Sequence, residues 1–471
     1  MIAPRTLTHT LAIVLAATGT IAALTMPEPR PVEGTPLGQD SQSEVSLTMT
    51  NLAKNPRVGV PTFLAPAGDA ELTSAANTIT QVLWDDLNFE REYYMIPRQT
   101  SANIPATAPD AIPYDRWNEL GADFVLVANL TRNGGDIAVE LRLIGVKGEN
   151  QGKQRFGARY PNCRLQNPRG CAHAIADDLH KQDRGLDGVA RTKLAFASDR
   201  QGTRVAGRPS QTAGASKEIY VSDYDGANPM RVTVNGSINC CPAWSPNGGL
   251  LSFVSWVSGV PDIYVANLAE PGRLGEPVSG STAIQNWTPA WSPDGSKLAF
   301  ASTRSGNLDI WVMNRDGSGL QNLTNSPRSS EGAPTWSPNG AQIAFTSDRA
   351  GSNQLYVMSA TGTGVQLLVP QRVDRPTWSA LNFIAFTVDS TSGHDIAIYD
   401  FANPGGVRVI TDGRGSNESP AVSPNGRHIA FVTTRWGKQH IATVDRTGQN
   451  IRQVTEVGNN TYPNWQAVAT R

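Results

Sequence analysis

From about residue 190 onward, short apolar runs alternate with polar turns at a regular period. The copies align on one motif. It reads PAWSPNG from Pro242, PAWSPDG from Pro289, PTWSPNG from Pro334, PTWSALN from Pro376, PAVSPNG from Pro420 and PNW from Pro463, at intervals of 47, 45, 42, 44 and 43 residues. After the motif comes an apolar run (LSF from Leu251, LAF from Leu298, IAF from Ile343, Ile384 and Ile429). A polar loop follows, often with Arg-x-Gly, as at Arg304–Gly306 and Arg349–Gly351. A third run (DIYV from Asp262, DIWV from Asp309, QLYV from Gln354, DIAI from Asp395) ends in a turn such as Asp316-Gly317, Thr361-Gly362 or Thr447-Gly448, which leads to a fourth. Four short strands per repeat of forty-odd residues predict one β-propeller blade per repeat. The first copy, Leu194–Phe196 through Glu218–Val221, lacks the motif strand, and the last, Pro463–Trp465, has only that strand. Together they complete one blade. The prediction is therefore a six-bladed all-β propeller whose C-terminal strand closes the ring and leaves no long sheet edge across it.

Within the motif, Pro-Asn-Gly or Pro-Asp-Gly makes the tight turn between the first two strands. Trp244, Trp291, Trp336, Trp378 and Trp465 are expected to pack between blades, as large apolar side chains in a repeated core position. Val422 replaces the Trp in one copy, and Ala380-Leu381 replaces the turn in another.

Residues 57–185 carry a different pattern and predict an α/β domain. Arg57–Phe63 reads as a buried strand. Leu72–Leu87 has apolar residues at helical spacing, and Gly170–Lys181 reads as a closing helix. Phe124–Leu130 and Asp136–Ile144 flank Asn133-Gly134-Gly135 and predict a hairpin. Upstream, residues 26–56 form a Pro- and Gly-rich linker (26–43) and an extended segment in which Val45, Leu47 and Met49 alternate with polar residues. Residues 1–25 combine Arg5 with an uncharged apolar stretch, Leu11–Leu24. Its 14 residues fall short of the roughly 20 that span a bilayer. A signal peptide cleaved near Ala22–Ala23 is expected, with a weak membrane anchor as the alternative.

Charge and composition narrow the function. The chain has 471 residues, enough for two or three domains, and a formal net charge of −1 from 40 basic and 41 acidic residues. Such a balance gives no global attraction for nucleic acid or an anionic membrane. The six His are scattered, no G-x-S-x-G nucleophile elbow occurs, and the Cys spacing is not that of a metal site. No catalytic residue, metal or cofactor is expected. His173 and His180, seven apart on one helix face, could form a metal or acid–base pair, but a core or surface role is the expectation. Cys163 and Cys171 lie on either side of a turn-like NPRG and are the expected disulfide in an exported chain. The adjacent Cys240 and Cys241 are left as either a vicinal disulfide or thiols.

Strand alternation puts the loops before each P-x-W on the face opposite the tight turns, at the entry to the innermost strands. Loops on a rigid scaffold are the usual place for binding. The candidate partner-binding mouth is Asn239, Gln285, Asn286, Trp287, Thr288, Glu331, Asp374, Arg375, Asn417, Glu418, Thr461 and Tyr462, a polar set with two aromatic anchors that suits a peptide or a loop of another protein.

The order of α/β domain, P-x-W-S-P-D-G repeats and closing P-x-W strand resembles the TolB family over nearly the whole mature chain. So do RVGVPTF (Arg57–Phe63), WNELG (Trp117–Gly121) and VSDYDG (Val221–Gly226). The resemblance implies a non-catalytic, monomeric periplasmic scaffold that binds a Pal-like peptidoglycan-associated lipoprotein across the propeller mouth and supports outer-membrane integrity and constriction during division. It also implies that an N-terminal segment, here Glu44, Val45, Leu47 and Met49 within Glu44–Thr50, docks on the body or is released to a TolA-like inner-membrane protein. The rivals are an exported propeller that binds a carbohydrate or small ligand, and a propeller-based enzyme.

Overall fold

A computed structural model describes residues 35–36, 55–105, 108–201, 216–270, 272–273, 275–278, 281–391, 393–403 and 406–468. They fall into two compact units that divide between Arg191 and Thr192. The apolar N-terminal stretch and Glu44, Val45, Leu47 and Met49 lie outside the described residues.

The first unit is a mixed sheet backed by helices. Its elements are β1 (Thr35–Pro36), β2 (Arg57–Gly59), α1 (Ala70–Glu90), β3 (Tyr94–Met95), α2 (Arg98–Ser101), α3 (Tyr114–Glu119), β4 (Phe124–Asn133), β5 (Asp136–Gly145), β6 (Gln154–Cys163) and α4 (Pro168–Leu179). The strand order is β1-β6-β5-β4-β2-β3. The expected hairpin is β4–β5, in register from Phe124↔Gly145 to Asn133↔Asp136. Helix α1 starts where the Asp69 side chain accepts the Leu72 N–H at 3.0 Å, an N-cap that satisfies an otherwise orphaned donor. It buries Leu72, Ile79, Val82, Leu83 and Leu87 and packs along α4. Cys163 at the end of β6 is bonded to Cys171 of α4, with Cα atoms 5.4 Å apart. Strand β2 stops at Gly59 instead of continuing to Phe63. It is flanked by β3 and β4, where Pro61 cannot donate to a ladder, and the Phe63 N–H goes instead to Thr80 Oγ1 at 3.0 Å. Gly59 is needed for a close approach: a Cβ there would lie 2.2 Å from the buried ring of Trp117.

The second unit is the six-bladed propeller. Five blades are built in sequence order, with innermost strands Asn239–Trp244, Asn286–Trp291, Glu331–Trp336, Val373–Trp378 and Asn417–Val422. The sixth joins Asn460–Trp465 to Lys193–Ser198, in register from Asn460↔Ser198 to Trp465↔Leu194. This closes the ring as expected. In the blade that starts at Asn239, the described residues of the fourth position include two hydrogen bonds to the third strand, Gly275 N–H to Val265 O and Val278 N–H to Ile263 O, both 3.0 Å. Blades meet through apolar side chains. Ala299, Ile310 and Val312 of one blade pack against Trp336, Ile343, Phe345 and Tyr356 of the next. Burying each large side chain contributes about 1.5–3 kcal/mol. Neighbouring blades are also pinned by hydrogen bonds from the motif Trp: Trp291 Nε1–H to Ser252 Oγ at 3.0 Å and Trp336 Nε1–H to Ala290 O at 3.1 Å.

Candidate functional site

The six innermost strands share one irregularity. Pairing with the second strand slips between Cys240 and Ala243, Trp287 and Ala290, Gly332 and Thr335, Asp374 and Thr377, Glu418 and Ala421, and Thr461 and Asn464. The cause is local: the Pro of the motif has no N–H for the ladder, so each strand bulges there. The residue before each Pro takes a left-handed backbone: Cys241 (φ 57°), Thr288 (48°), Ala333 (47°), Arg375 (52°), Ser419 (53°) and Tyr462 (55°). None is Gly, so each position carries roughly 1–2 kcal/mol of backbone strain, which the surrounding blades hold in place. All six line a cavity of about 390 Å³, whose wall also carries the Pro residues, the Trp residues and the intervening small residues of the repeats. Thr288, Arg375 and Tyr462 of the set singled out from the sequence thus line the channel itself, and the cavity continues from them to the Pro residues of the tight turns, such as Pro293, Pro338 and Pro424.

One side chain crosses the channel. Around the ring, the strand carrying Arg375 stands three blades from the strand carrying Cys241, diametrically opposite. Yet Arg375 Nη1 lies 3.6 Å from Cys241 Sγ, and its guanidinium sits 4.4 Å above the Tyr462 ring, within cation–π range. Cys240 and Cys241 are free and buried, so the two thiols, not a vicinal disulfide, are present. Burial opposes a thiolate at Cys241, but the hydrogen bond from Cys240 and the charge of Arg375 outweigh it and bring the Cys241 thiol down to about 7. The hydrogen bond to Cys241, then burial, pushes the Cys240 thiol well up. Burial takes the Tyr462 hydroxyl to about 12, against the pull of Arg375.

The residues expected at the loop mouth divide into two sets. Asn239, Asn286, Glu331 and Asn417 are fully buried, which removes them from any contact surface. Asn286 donates to Asp262 at 2.7 Å, Asn417 to Asp395 at 3.0 Å and Asn239 to Glu218 at 3.2 Å, each acid belonging to the preceding blade. Glu331 accepts from Ser329 at 2.6 Å, Ser347 at 2.8 Å and Arg349 at 3.3 Å. These four are latches: a polar side chain that enters the innermost strand must find a partner inside the protein. Thr461 is likewise buried, near Lys217 Nζ at 3.4 Å. Gln285 and Asp374 are exposed, and Trp287, Thr288, Arg375, Glu418 and Tyr462 are half-buried. Trp287 meets Trp256 edge-on at 5.1 Å.

Asp374 and Glu418 share a smaller pocket of about 120 Å³ with Arg372, Asp389 and His394. Arg372 pairs with Asp389 at 3.3 Å, and His394 lies 3.2 Å from Glu418 and 3.6 Å from Asp389. The sequence reading missed Arg372, Asp389 and His394. Asp389 and His394 face each other at the ends of the second and third strands of one blade, and the polar run from Asp389 to His394 was the available signal. In the α/β unit, His173 and His180 are not a pair. His173 Nδ1 is 2.8 Å from Asp86, His180 Nδ1 is 2.9 Å from the Ala176 carbonyl, and both are buried. Among the described residues no group of three or more His, Cys, Asp or Glu is placed to hold a metal ion.

Comparison with known proteins gives the following. A family model described as the TolB beta propeller domain matches residues 185–469, and one described as the TolB amino-terminal domain matches residues 45–152. The chain is 32% identical over 217 residues to a Tol-Pal system protein TolB of Desulfosudis oleivorans, covering 45% of each chain. It is 32% identical over 214 residues to that of Methylococcus capsulatus, covering 45% of this chain and 47% of the relative. The matches thus span about half the length of these relatives. The crystal structure of TolB from Acinetobacter baumannii superposes with a TM-score of 0.73 at 22% identity, covering 88% of this chain and 97% of that one, and shares its fold.

Proposed function

The chain belongs to the TolB family, and from that membership we infer that it is an exported, non-catalytic scaffold of a Tol–Pal-type envelope system. In this reading residues 1–25 are a signal peptide, residues 26–56 a linker with an extended segment for a TolA-like protein, and the mature chain works in the periplasm. Its partner is a Pal-like peptidoglycan-associated lipoprotein, and the complex supports outer-membrane integrity and constriction during division. The names of the curated relatives support the system. One observation supports the surface: of the mouth residues, Gln285, Asp374, Glu418, Trp287 and Tyr462 remain accessible on a rigid ring while the buried Asn239, Asn286 and Asn417 tie neighbouring blades together. Accessible charges and aromatic anchors around a concave centre suit a protein loop.

The test is a pull-down from solubilised envelope of the source bacterium, with the mature chain as bait and mass spectrometry to identify the catch. A peptidoglycan-associated lipoprotein is expected. Asp374→Arg with Glu418→Arg should lose it while the melting curve stays that of the wild type. Glu331 is left alone because it is buried and its replacement would strand Ser329, Ser347 and Arg349 without their acceptor. A folded bait that captures no such lipoprotein sinks this reading. The 390 Å³ cavity would then favour the second one, a small-ligand or sugar binder, which titration calorimetry reads directly.

A further inference from the structure

A charge partly withdrawn from water is stabilised by a nearby partner. The Arg375 guanidinium faces the Tyr462 ring and Cys241 Sγ, and among the described residues no carboxylate lies within ion-pair distance of it. The sulfur sits where a counter-anion belongs. It belongs to a residue that is 6% exposed and lines the open cavity, in a chain that already holds a disulfide at Cys163–Cys171. Thiol–disulfide exchange with a small disulfide proceeds through attack of a thiolate on one of its sulfurs and needs no further oxidant.

We propose that Cys241 is a thiol-modification site in the propeller channel: its sulfur, held against the Arg375 guanidinium that crosses the channel, exchanges with a low-molecular-weight disulfide to give a mixed disulfide. The Cys241 thiolate attacks one sulfur of R–S–S–R. The new Cys241–S–S–R bond forms as the old S–S bond breaks, and its electron pair leaves with the second RS⁻. The disulfide is the oxidant, and one thiol equivalent is released per chain. Cys240 keeps its proton. It lies in an apolar cluster with Val254, Ile263 and Phe300, and its thiol is pushed well up by Cys241 and by burial. The charged and titratable groups that act on the pair are Arg375, Asp374, Tyr462 and Lys217. Of these, Arg375 favours the thiolate at Cys241 and Asp374 opposes it. The adduct places R beside Tyr462 and deprives Arg375 of its counter-charge, so modification changes the bore and the charge of the channel throat together.

The probe is 4,4′-dithiodipyridine, a small neutral disulfide, added to the full-length folded protein between pH 5 and 10. Released thiopyridone is followed by absorbance, and the label is located by peptide mapping. The folded protein should release one equivalent, on Cys241, with a rate midpoint near 7. Cys241→Ser should release none and Cys240→Ser still one. Arg375→Gln should move the midpoint toward the ordinary thiol value of about 8.5 and slow the reaction roughly tenfold at pH 7, with melting curves to confirm that it folds. The proposal is overturned if the folded protein is inert while the urea-unfolded chain releases two equivalents, or if the label sits on Cys240. It also fails if Arg375→Gln leaves the pH profile unchanged, or if the isolated protein carries a Cys240–Cys241 disulfide by mass.

Discussion

Thr288 shows how much local preference the fold overrides. It is β-branched, yet its φ is 48°, a genuine outlier for that residue type, and its hydroxyl is buried with no hydrogen-bond partner among the described residues. Thr288→Gly should therefore stabilise the protein by about 0.5–1 kcal/mol, read as a higher urea midpoint at unchanged slope. A lower midpoint would mean that the bulge stores no strain. Asp294 works in the opposite sense. It accepts from Ser292 Oγ at 2.5 Å, Ser296 N–H at 3.0 Å and Ser296 Oγ at 2.8 Å. The bond from Ser292 and then those from Ser296 hold its carboxyl at about 2, below the usual 3.8. A depressed carboxyl adds stability above its unfolded value, and that stability is lost as pH falls through the folded value. Other copies of the same turn carry Asn (Asn247, Asn339, Asn425), so Asp294→Asn keeps the turn. The melting temperature of wild type should fall more than that of the variant between pH 4 and pH 2, and parallel curves would refute the assignment.

The element that decides the ring is the last strand. Trp465 is 6% exposed, and its Nε1–H reaches Thr192 Oγ1 at 2.8 Å, which ties the end of the chain to the start of the same blade. Trp465→Ala removes that bond and opens a large void, which should cost about 3–5 kcal/mol. Because the strand is the sole velcro of one blade, protease cleavage should begin near residues 190–235 in the variant. An unchanged thermal midpoint would show that closure depends on the backbone ladder alone. At this scale the sequence was readable: the period, the P-x-W-S-P turn and the incomplete end copies gave six blades and their closure without coordinates. The length of β2 was not readable, because whether a Pro ends a strand depends on whether that strand is flanked on both sides.

For the whole molecule, two compact units with separate cores should unfold as separable events. The Cys163–Cys171 bond spans a separation of only eight residues, worth about 2.5 kcal/mol by loop entropy. The double variant Cys163→Ala with Cys171→Ala should lower one calorimetric transition, that of the α/β unit, and leave the propeller transition in place. A single transition that shifts as a whole would show that the units are coupled.

The sequence by itself determined the class of both units, the blade count and the ring closure. All of these follow from periodic patterns and turn chemistry, which act over a few residues. Tertiary structure alone decided which polar residues face outward. Asn239, Asn286 and Asn417 read as a mouth because they are polar and precede P-x-W, but each meets an acid from the preceding blade, a contact between residues 21–24 apart that no local pattern encodes. The Arg375–Cys241 contact spans 134 residues and three blades. It exists only because a closed ring brings opposite strands within one side chain's reach, and closure is a property of the whole circle, not of any repeat in it.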